Sequence, residues 1–275
     1  MGNTEKILGS VLVRRAWMSA LAWALIAAAQ TAKATILAEG PAPTNTVVGH
    51  LEAEPSEAID LLEYYRTRAG RTSDGFEPYD RERHFVGWLK QGSSCLTTRD
   101  LVLMRDKAPG SAVTFTDSRR CKIARGQWKD PYTGQLFTRA QDVQIDHVVP
   151  LKGAYESGAH RWSAARRCHY ANFLADKSHL RAVSGHENQE KSAKAPDEYL
   201  PPNDGFRCKF VASWLRIKAA WGLSMSRSEF RAIEKVFSRQ GCDRRLAFIS
   251  KETLAQNRAA TQRPSPACER VSRDG

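Results

Sequence analysis

Residues 142–151 read Asp-Val-Gln-Ile-Asp-His-Val-Val-Pro-Leu, so an acid and a histidine stand side by side after an alternating run. The alternation of polar and apolar residues over 142–145 predicts a β-strand, and Pro150 predicts that the strand stops soon after. Asp146 beside His147 at a strand end is typical of a hydrolytic site, where one residue holds a metal and its neighbour activates water. The dipeptide also fits a buried histidine paired structurally with the adjacent aspartate.

Three further motifs lie downstream of this stretch. They are Tyr-Ala-Asn-Phe at 170–173, Leu-Arg-Ala-Val-Ser at 180–184 and Asn-Gln-Glu-Lys-Ser at 188–192. Together with 146–151 they resemble the HNH endonucleases, nucleases of the ββα-metal type, and above all the secreted bacterial branch with an Asp-His core. The resemblance runs from about Tyr79 to Cys242, and the additional motifs that carry it are found at 79–81, 95–100, 126–128, 132–134, 199–202 and Cys208.

This resemblance implies an α+β fold. A small ββα-metal core, expected over residues 135–195, would be surrounded by helices and stapled by disulfides inside a domain of residues 56–250. The sequence pattern predicts further helices over 56–69, 97–105, 161–174 and 208–221, and strands over 113–115, 122–124, 135–139 and 180–184. Ser226 and Glu229 form a capping-box pattern, which predicts that another helix starts there.

The resemblance also implies roles for individual residues. His147 is the expected general base, since a histidine can be neutral near pH 7 and take a proton from water. Asp146 is the expected first metal ligand and Asn188 the second, through its side-chain oxygen. Two oxygen ligands favour Mg²⁺, or Mn²⁺, over zinc. Because adjacent side chains in a strand point to opposite faces, Asp146 and His147 can serve one site only where the strand ends or bends.

Three more residues complete the predicted site. Asn172 matches the middle Asn of the motif, whose implied role is to brace the loop between the two strands and hold the base; an ordinary turn or helix-end Asn is the alternative. Lys191 shares a helix face with Asn188 and is predicted either to bind the scissile phosphate or to be a solvated surface lysine. Arg167 is predicted to contact phosphate or to brace the site.

The charge of the chain indicates a polyanionic partner. The net charge is +12, and removal of residues 1–34 takes away four Lys or Arg and one Glu, which leaves +9. Nucleic acid and an anionic surface both fit such a charge. The segment between the two motif strands carries basic and aromatic residues together, a mixture that can bind a nucleic-acid backbone and bases, although Trp162 and Phe173 are better explained as core.

The first residues predict export. A basic start, an apolar run over 16–29 and Ala-Lys-Ala at 32–34 form the pattern of a signal peptide, with cleavage after Ala34 expected and an uncleaved anchor as the alternative. Residues 35–55 are predicted to be a linker and residues 251–275 a loose basic tail. A secreted or periplasmic protein without a stable membrane partner is expected.

The cysteines agree with export. Six cysteines lie beyond residue 34, and an even number in an exported chain predicts disulfides, with 15 arrangements open. The resemblance implies pairing of Cys95 with Cys121 and of Cys208 with Cys242, and leaves Cys168 and Cys268 as a third pair or as free thiols.

The sequence thus predicts an exported, Mg²⁺-dependent HNH endonuclease that hydrolyses DNA with little sequence preference. The alternative is a catalytically inactive exported module on the same fold, which binds nucleic acid or another protein.

Overall fold

The structure is a computed structural model that describes residues 57–70 and 75–271. The chain divides into two units, Met1–His50 and Leu51–Gly275, and every described residue belongs to the second unit. In the described residues the strands are β1 (Ala58–Asp60), β2 (Thr114–Phe115), β3 (Ile123–Lys129), β4 (Leu136–Arg139), β5 (Val143–His147), β6 (Leu180–Ser184) and β7 (Phe248–Ser250). The α-helices are α1 (Leu61–Arg66), α2 (Arg81–His84), α3 (Thr98–Asp106), α4 (Leu151–Glu156), α5 (Ala164–Ala171), α6 (Gly185–Lys191), α7 (Asp204–Trp221), α8 (Arg227–Arg239), α9 (Lys251–Thr261) and α10 (Pro266–Val271). The predicted α+β class is confirmed.

The strands form three small antiparallel sheets, in the orders β1-β7, β2-β3-β4 and β5-β6. In the third sheet Val143 faces Ser184 and His147 faces Leu180, so five residue pairs are in register. Helix α6 follows β6 directly, with Ser184 as its N-cap accepting from the backbone N–H of Glu187. The two strands and the helix lie in the order that the ββα resemblance implied.

Both faces of the β5–β6 pair are covered. Val143, Ile145, Leu180 and Ala182 are buried in a hydrophobic core shared with α3 and β3, which we call the second core. Val183 is buried in the first core, which contains the buried residues of α7. The alternating pattern at 142–145 therefore predicted the strand but not its burial on both sides, because the covering elements come from distant parts of the chain. Asp146 and His147, at the end of β5, are buried as well.

The first core is built around α7, the longest helix in the described part of the chain. Twelve of its residues are buried, and they pack with buried side chains of α1, α4, α5 and α8. Lys218 of α7 forms a buried ion pair with Glu229 of α8 at 2.6 Å. Glu229 also closes the predicted capping box with Ser226, which places the start of α8.

A backbone irregularity in β3 anchors the second core. The register of β3 against β4 shifts between Arg125 and Trp128. A side-chain carbon added at Gly126 would lie 2.6 Å from the Trp128 ring, so glycine is required for the indole to fold back at this point. Trp128 Nε1 donates to Leu103 O at 2.8 Å, which ties β3 to α3.

Three disulfides join the chain, namely Cys95–Cys121, Cys168–Cys268 and Cys208–Cys242. The two implied pairs are confirmed, and the two remaining cysteines form the third pair. That pair changes the interpretation of the C-terminal segment, because residues predicted as a loose tail form α9 and α10, and Cys268 ties α10 to α5. The basic character of residues 251–275 was a poor guide to their structure. Leu254 and Thr261 are buried, and they and the disulfide hold α9 and α10 in place.

Two helix predictions were too long. Asp60 accepts from the backbone N–H of Leu62 as the N-cap, so α1 starts at Leu61 and the preceding residues pair with β7 instead. Ser163 caps α5 in the same way, so the helix begins at Ala164 rather than near Arg161.

The predicted signal peptide, linker and cleavage position lie outside the described residues. Among the residues that are described, none of the helices has the length and apolar character needed to cross a lipid bilayer.

Candidate active site

A cavity of about 700 Å³ opens at the end of β5, and three of the predicted site residues line it: Asp146, His147 and Asn188. We call it the His147 cavity. Its wall is completed by Tyr79, Arg81, Trp88, Arg99, Gln144, Ile145, Pro150, Leu151, Lys152, Ser192 and Ala193. Asp146 and His147 both reach it because β5 ends at His147 and the chain turns into α4 after Pro150.

The imidazole of His147 is held from two directions. Its Nε2 lies 2.9 Å from Ala171 O, at the end of α5. A carbonyl oxygen only accepts, so Nε2 carries the proton and Nδ1 keeps its lone pair. The Trp88 ring lies parallel to the imidazole, with an interplanar angle of 7° and ring centroids 5.2 Å apart.

Burial lowers the pKa of His147 well below its usual value, and the neighbouring His179 adds to this effect. A histidine in this state is neutral at pH 7 and can accept a proton.

The Asp146 carboxylate is enclosed by two donors. Lys191 Nζ donates to Oδ1 at 2.8 Å and the Tyr132 hydroxyl donates to Oδ2 at 2.5 Å. Burial raises the pKa of Asp146, while the charge and hydrogen bond of Lys191 oppose the rise. These two hydrogen bonds fix the orientation of the Asp146 carboxylate. Only the lone pairs that they leave are open to another ligand.

Lys191 differs from both of its predicted roles. Its side chain has no exposed surface, it does not line the His147 cavity, and it donates to Asp146 and to His147 O at 3.0 Å. Burial lowers the pKa of Lys191, and the attraction of Asp146 opposes this shift. The lysine points inward from α6 to the end of β5, so it is neither solvated nor placed to touch a phosphate.

Asn188, one turn before Lys191, faces the cavity. Its Nδ2 donates to Gln144 Oε1 at 2.7 Å, which orients the amide so that Oδ1 is the atom left for a ligand. Within the described part of the chain no donor reaches that oxygen.

Asn172 braces the site rather than entering the cavity. It ends α5, and its Oδ1 accepts from Leu89 N at 2.9 Å and from the Thr98 hydroxyl at 2.7 Å. Its Nδ2 donates to Gly87 O and Cys168 O, both at 3.2 Å. These bonds fix the segment that carries Trp88 against the helix end whose carbonyl holds His147.

Arg167 also lies away from the cavity. Its Nε donates to His84 O at 2.9 Å and its Nη1 to Trp162 O. Of the two predicted roles, the bracing role matches these contacts, because the guanidinium is directed at backbone carbonyls.

The basic and aromatic residues between the two motif strands do not form an open binding surface. Tyr170 and Phe173 are buried, and Arg166 covers the Trp162 ring at 4.3 Å. Arg181 lies over Phe206 at 5.2 Å.

The cations of the cavity come from elsewhere in the sequence. Arg81 precedes the motif by sixty-five residues and is exposed, Arg99 on α3 is half-buried, and Lys152 on α4 is exposed. None of the three was predicted as a site residue. The available signal was that 79–81 and 95–100 belonged to the resemblance, which gave the positions without their place in the fold.

The residues fit a divalent ion that has few protein ligands. Among the described residues there is no cluster of three or more His, Cys, Asp or Glu that could hold a metal. Asp146 and Asn188 both line the His147 cavity, and Asn188 Oδ1 is without a donor among the described residues. Both Asp146 oxygens accept a hydrogen bond, so an ion would be held through the lone pairs that these bonds leave. Mg²⁺ accepts such a set, since it keeps several waters and takes substrate phosphate oxygens.

Comparison with known proteins gives one family match and one relative. Residues 104–236 match the family of GmrSD restriction endonucleases, C-terminal domain. An uncharacterized secreted protein of Arthroderma benhamiae is 35% identical over 204 residues, which cover 74% of this chain and 93% of that protein. No solved structure matches the chain.

Proposed function

This chain belongs to the family of the GmrSD C-terminal domain, an HNH-type restriction endonuclease domain, and from that premise we propose that it is an exported, metal-dependent endonuclease that hydrolyses DNA with little sequence preference. The observation that carries the proposal is the His147 cavity itself. A neutral imidazole, oxygen donors and three cations line one opening large enough for a phosphodiester and its attacking water.

In the proposed reaction His147 Nδ1 takes the proton of a water molecule whose oxygen attacks phosphorus. Trp88 and the Ala171 carbonyl hold the ring so that this nitrogen, and not Nε2, is the base. The P–O3′ bond breaks with its electron pair on O3′, which takes a proton from a water molecule, and the products carry a 5′-phosphate and a 3′-hydroxyl.

The cations of the rim bind the substrate. Arg81, Arg99 and Lys152 would hold the non-bridging oxygens and offset the charge that repels a nucleophile. A divalent ion, when bound through Asp146 and Asn188, would neutralise negative charge on the phosphate and on the leaving oxygen. Asp146 keeps its orientation through Lys191 and Tyr132.

Two further features support the choice of DNA and of export. The family name refers to restriction endonucleases, and the chain is strongly basic. The relative from Arthroderma benhamiae is described as secreted, and the first 34 residues have the pattern of a signal peptide. With backbone contacts dominant, cleavage should weaken steeply as salt is raised.

The central test is cleavage of plasmid DNA by purified, oxidised protein with Mg²⁺ or Mn²⁺, and with EDTA. His147→Ala is expected to lower the rate by about a hundredfold or more. His186→Ala is the matched control, because His186 is exposed and does not line the His147 cavity. Plasmid left intact by the wild-type protein with both metals, or cleaved equally by H147A, would refute the activity. Binding of DNA without cleavage would favour the inactive module instead.

Export is tested separately by sequencing the N-terminus of the protein recovered from the medium or periplasm. A start at Thr35 is expected, and a start at Met1 would contradict the proposal.

A further inference from the structure

A second cavity, of about 680 Å³, adjoins the His147 cavity. The two cavities share Trp88 and Arg99 as wall residues. Beyond them the second cavity is lined by Thr97 and Asp100 at the α3 start, by Lys122 and Ile123 at the start of β3, and by Ala140.

Arg99 stands at the junction with its charge available. Its Nη2 is anchored on Ala140 O at 2.8 Å and on Val143 O at 2.9 Å. In the described residues no carboxylate lies within ion-pair distance of this guanidinium. The acid next to it, Asp100, is buried and occupied by donors from Thr97 and by Ile123 N. The remaining guanidinium nitrogens are therefore free to bind an anion.

Lys122 supplies the second charge of this cavity. Its side chain is exposed, and it forms no ion pair within the described ranges. The residue before it, Cys121, is bonded to Cys95, which lies just ahead of α3. This disulfide joins the two segments that carry Lys122 and Arg99, and both residues line the second cavity.

We propose that the second cavity binds the part of the DNA strand next to the scissile phosphate, with Lys122 holding the neighbouring phosphate and Arg99, which lines both cavities, lying between the two phosphates. This inference rests on the proposed endonuclease function and extends it. Two cations without ion-pair partners among the described residues, lining one cavity, suit a phosphodiester backbone rather than a small neutral ligand. The strand then passes Trp88, and its scissile phosphate lies in the His147 cavity.

The test compares binding of single-stranded oligodeoxythymidylates of about six and about twelve nucleotides, a length range that spans one to two such subsites. Fluorescence anisotropy is measured in EDTA at several salt concentrations, and a gel shows that the strands stay intact. The wild-type protein should bind the longer strand more tightly.

The variant is Lys122→Glu, and its matched control is Lys235→Glu, the same charge reversal at an exposed position of α8. For K122E the dissociation constant of the longer strand should rise by about fivefold at low salt, and the slope of log K against log salt should fall by about one. Affinity for the shorter strand should change much less. K235E should bind both strands as the wild type does.

The outcomes separate the two proposals. If the wild-type protein cleaves plasmid but K122E and K235E bind the longer strand equally, the second cavity is not a strand site and the nuclease proposal stands. If both strands bind the wild type with the same affinity, the subsite is likewise refuted. Absence of plasmid cleavage by the wild type would refute the nuclease function.

Discussion

The side chain of Lys191 is fully buried between α6 and the end of β5, with Asp146 as its charged partner. Lys191→Met would leave the Asp146 carboxylate buried without its cation. We expect the free energy of unfolding to fall by about 3–5 kcal/mol, the cost of breaking a buried pair from one side. Urea unfolding at pH 7, followed by tryptophan fluorescence, measures the loss.

Two further variants serve as controls for that result. Lys194→Met removes an exposed lysine from the same region and should change stability by no more than about 0.5 kcal/mol. The double variant D146N/K191M removes both charges and should recover part of the loss, since no lone buried charge remains. If K191M were as stable as K194M, the structural importance of the pair would be disproved.

His179 gives the molecule a predictable acid sensitivity. Its Nε2 donates to Tyr170 O at 2.8 Å, while Nδ1 is buried without a partner in the described structure. Burial lowers the pKa of His179 to about 4. Between about pH 6.5 and about pH 4, His179 binds a proton in the unfolded chain but not in the folded chain. The free energy of unfolding therefore falls as the pH falls, by up to about 3 kcal/mol from this residue.

Stability measured at pH 7, 5.5 and 4.5 tests this expectation. Burial lowers the pKa values of His147 and His169 too, so the wild type loses stability through all three residues. His179→Gln keeps an N–H donor for Tyr170 O but cannot take up a proton, and it should reduce the acid loss by the share of His179. An unchanged pH dependence in H179Q would show that position 179 does not contribute.

At the scale of elements, the junction between α5 and the segment around Trp88 decides whether the base is held. Asn172 makes four hydrogen bonds there, to Gly87, Leu89, Thr98 and Cys168. Asn172→Ala would leave buried backbone groups unpaired, and we expect a loss of about 2–4 kcal/mol together with a lower cleavage rate. Asn257→Ala on α9 is the control, because Asn257 makes no side-chain hydrogen bond among the described residues.

Cleavage assays well below the unfolding temperature distinguish bracing from mere stability. A rate for N172A equal to that of N257A under those conditions would mean that this junction does not position His147.

Local signals predicted several elements well. The strand at 180–184 was predicted with the bounds that the structure has, and the Ser226–Glu229 capping box placed the start of α8. The α1 boundary and the C-terminal helices were missed because β7 pairing and the link to Cys168 fix them, and both are contacts between distant residues.

The candidate site was predicted to a similar extent. The sequence motif brought Asp146, His147 and Asn188 to one cavity, as the structure has them. Lys191 was predicted to share a helix face with Asn188, but Asn188 lines the cavity whereas Lys191 turns toward the buried carboxylate of Asp146, which residue spacing cannot show. Arg81 and Arg99 lie in motifs of the resemblance, but these motifs do not show that either residue, or Trp88, reaches the cavity, because tertiary folding brings them there.

For the whole molecule, the disulfides differ in the length of chain that they close. Cys168–Cys268 spans 100 residues and Cys95–Cys121 spans 26. If chain entropy dominates, the C168S/C268S variant should lose about 1 kcal/mol more than C95S/C121S, because the longer loop restricts the unfolded chain more. Guanidinium unfolding of both variants gives the comparison. A larger loss in C95S/C121S would show that contacts within the folded state outweigh the loop length.

The position of Cys268 also has a consequence for biosynthesis. Helix α5 ends at the carbonyl that orients His147, and Cys168 of that helix is bonded to Cys268, which the ribosome adds 100 residues later. We expect newly made protein in a thiol-rich cytosol to lack this link and to cut DNA poorly, which would spare the chromosome of the cell that produces it. Comparing plasmid cleavage before and after reduction by dithiothreitol tests this expectation. Full activity of the reduced protein would contradict it.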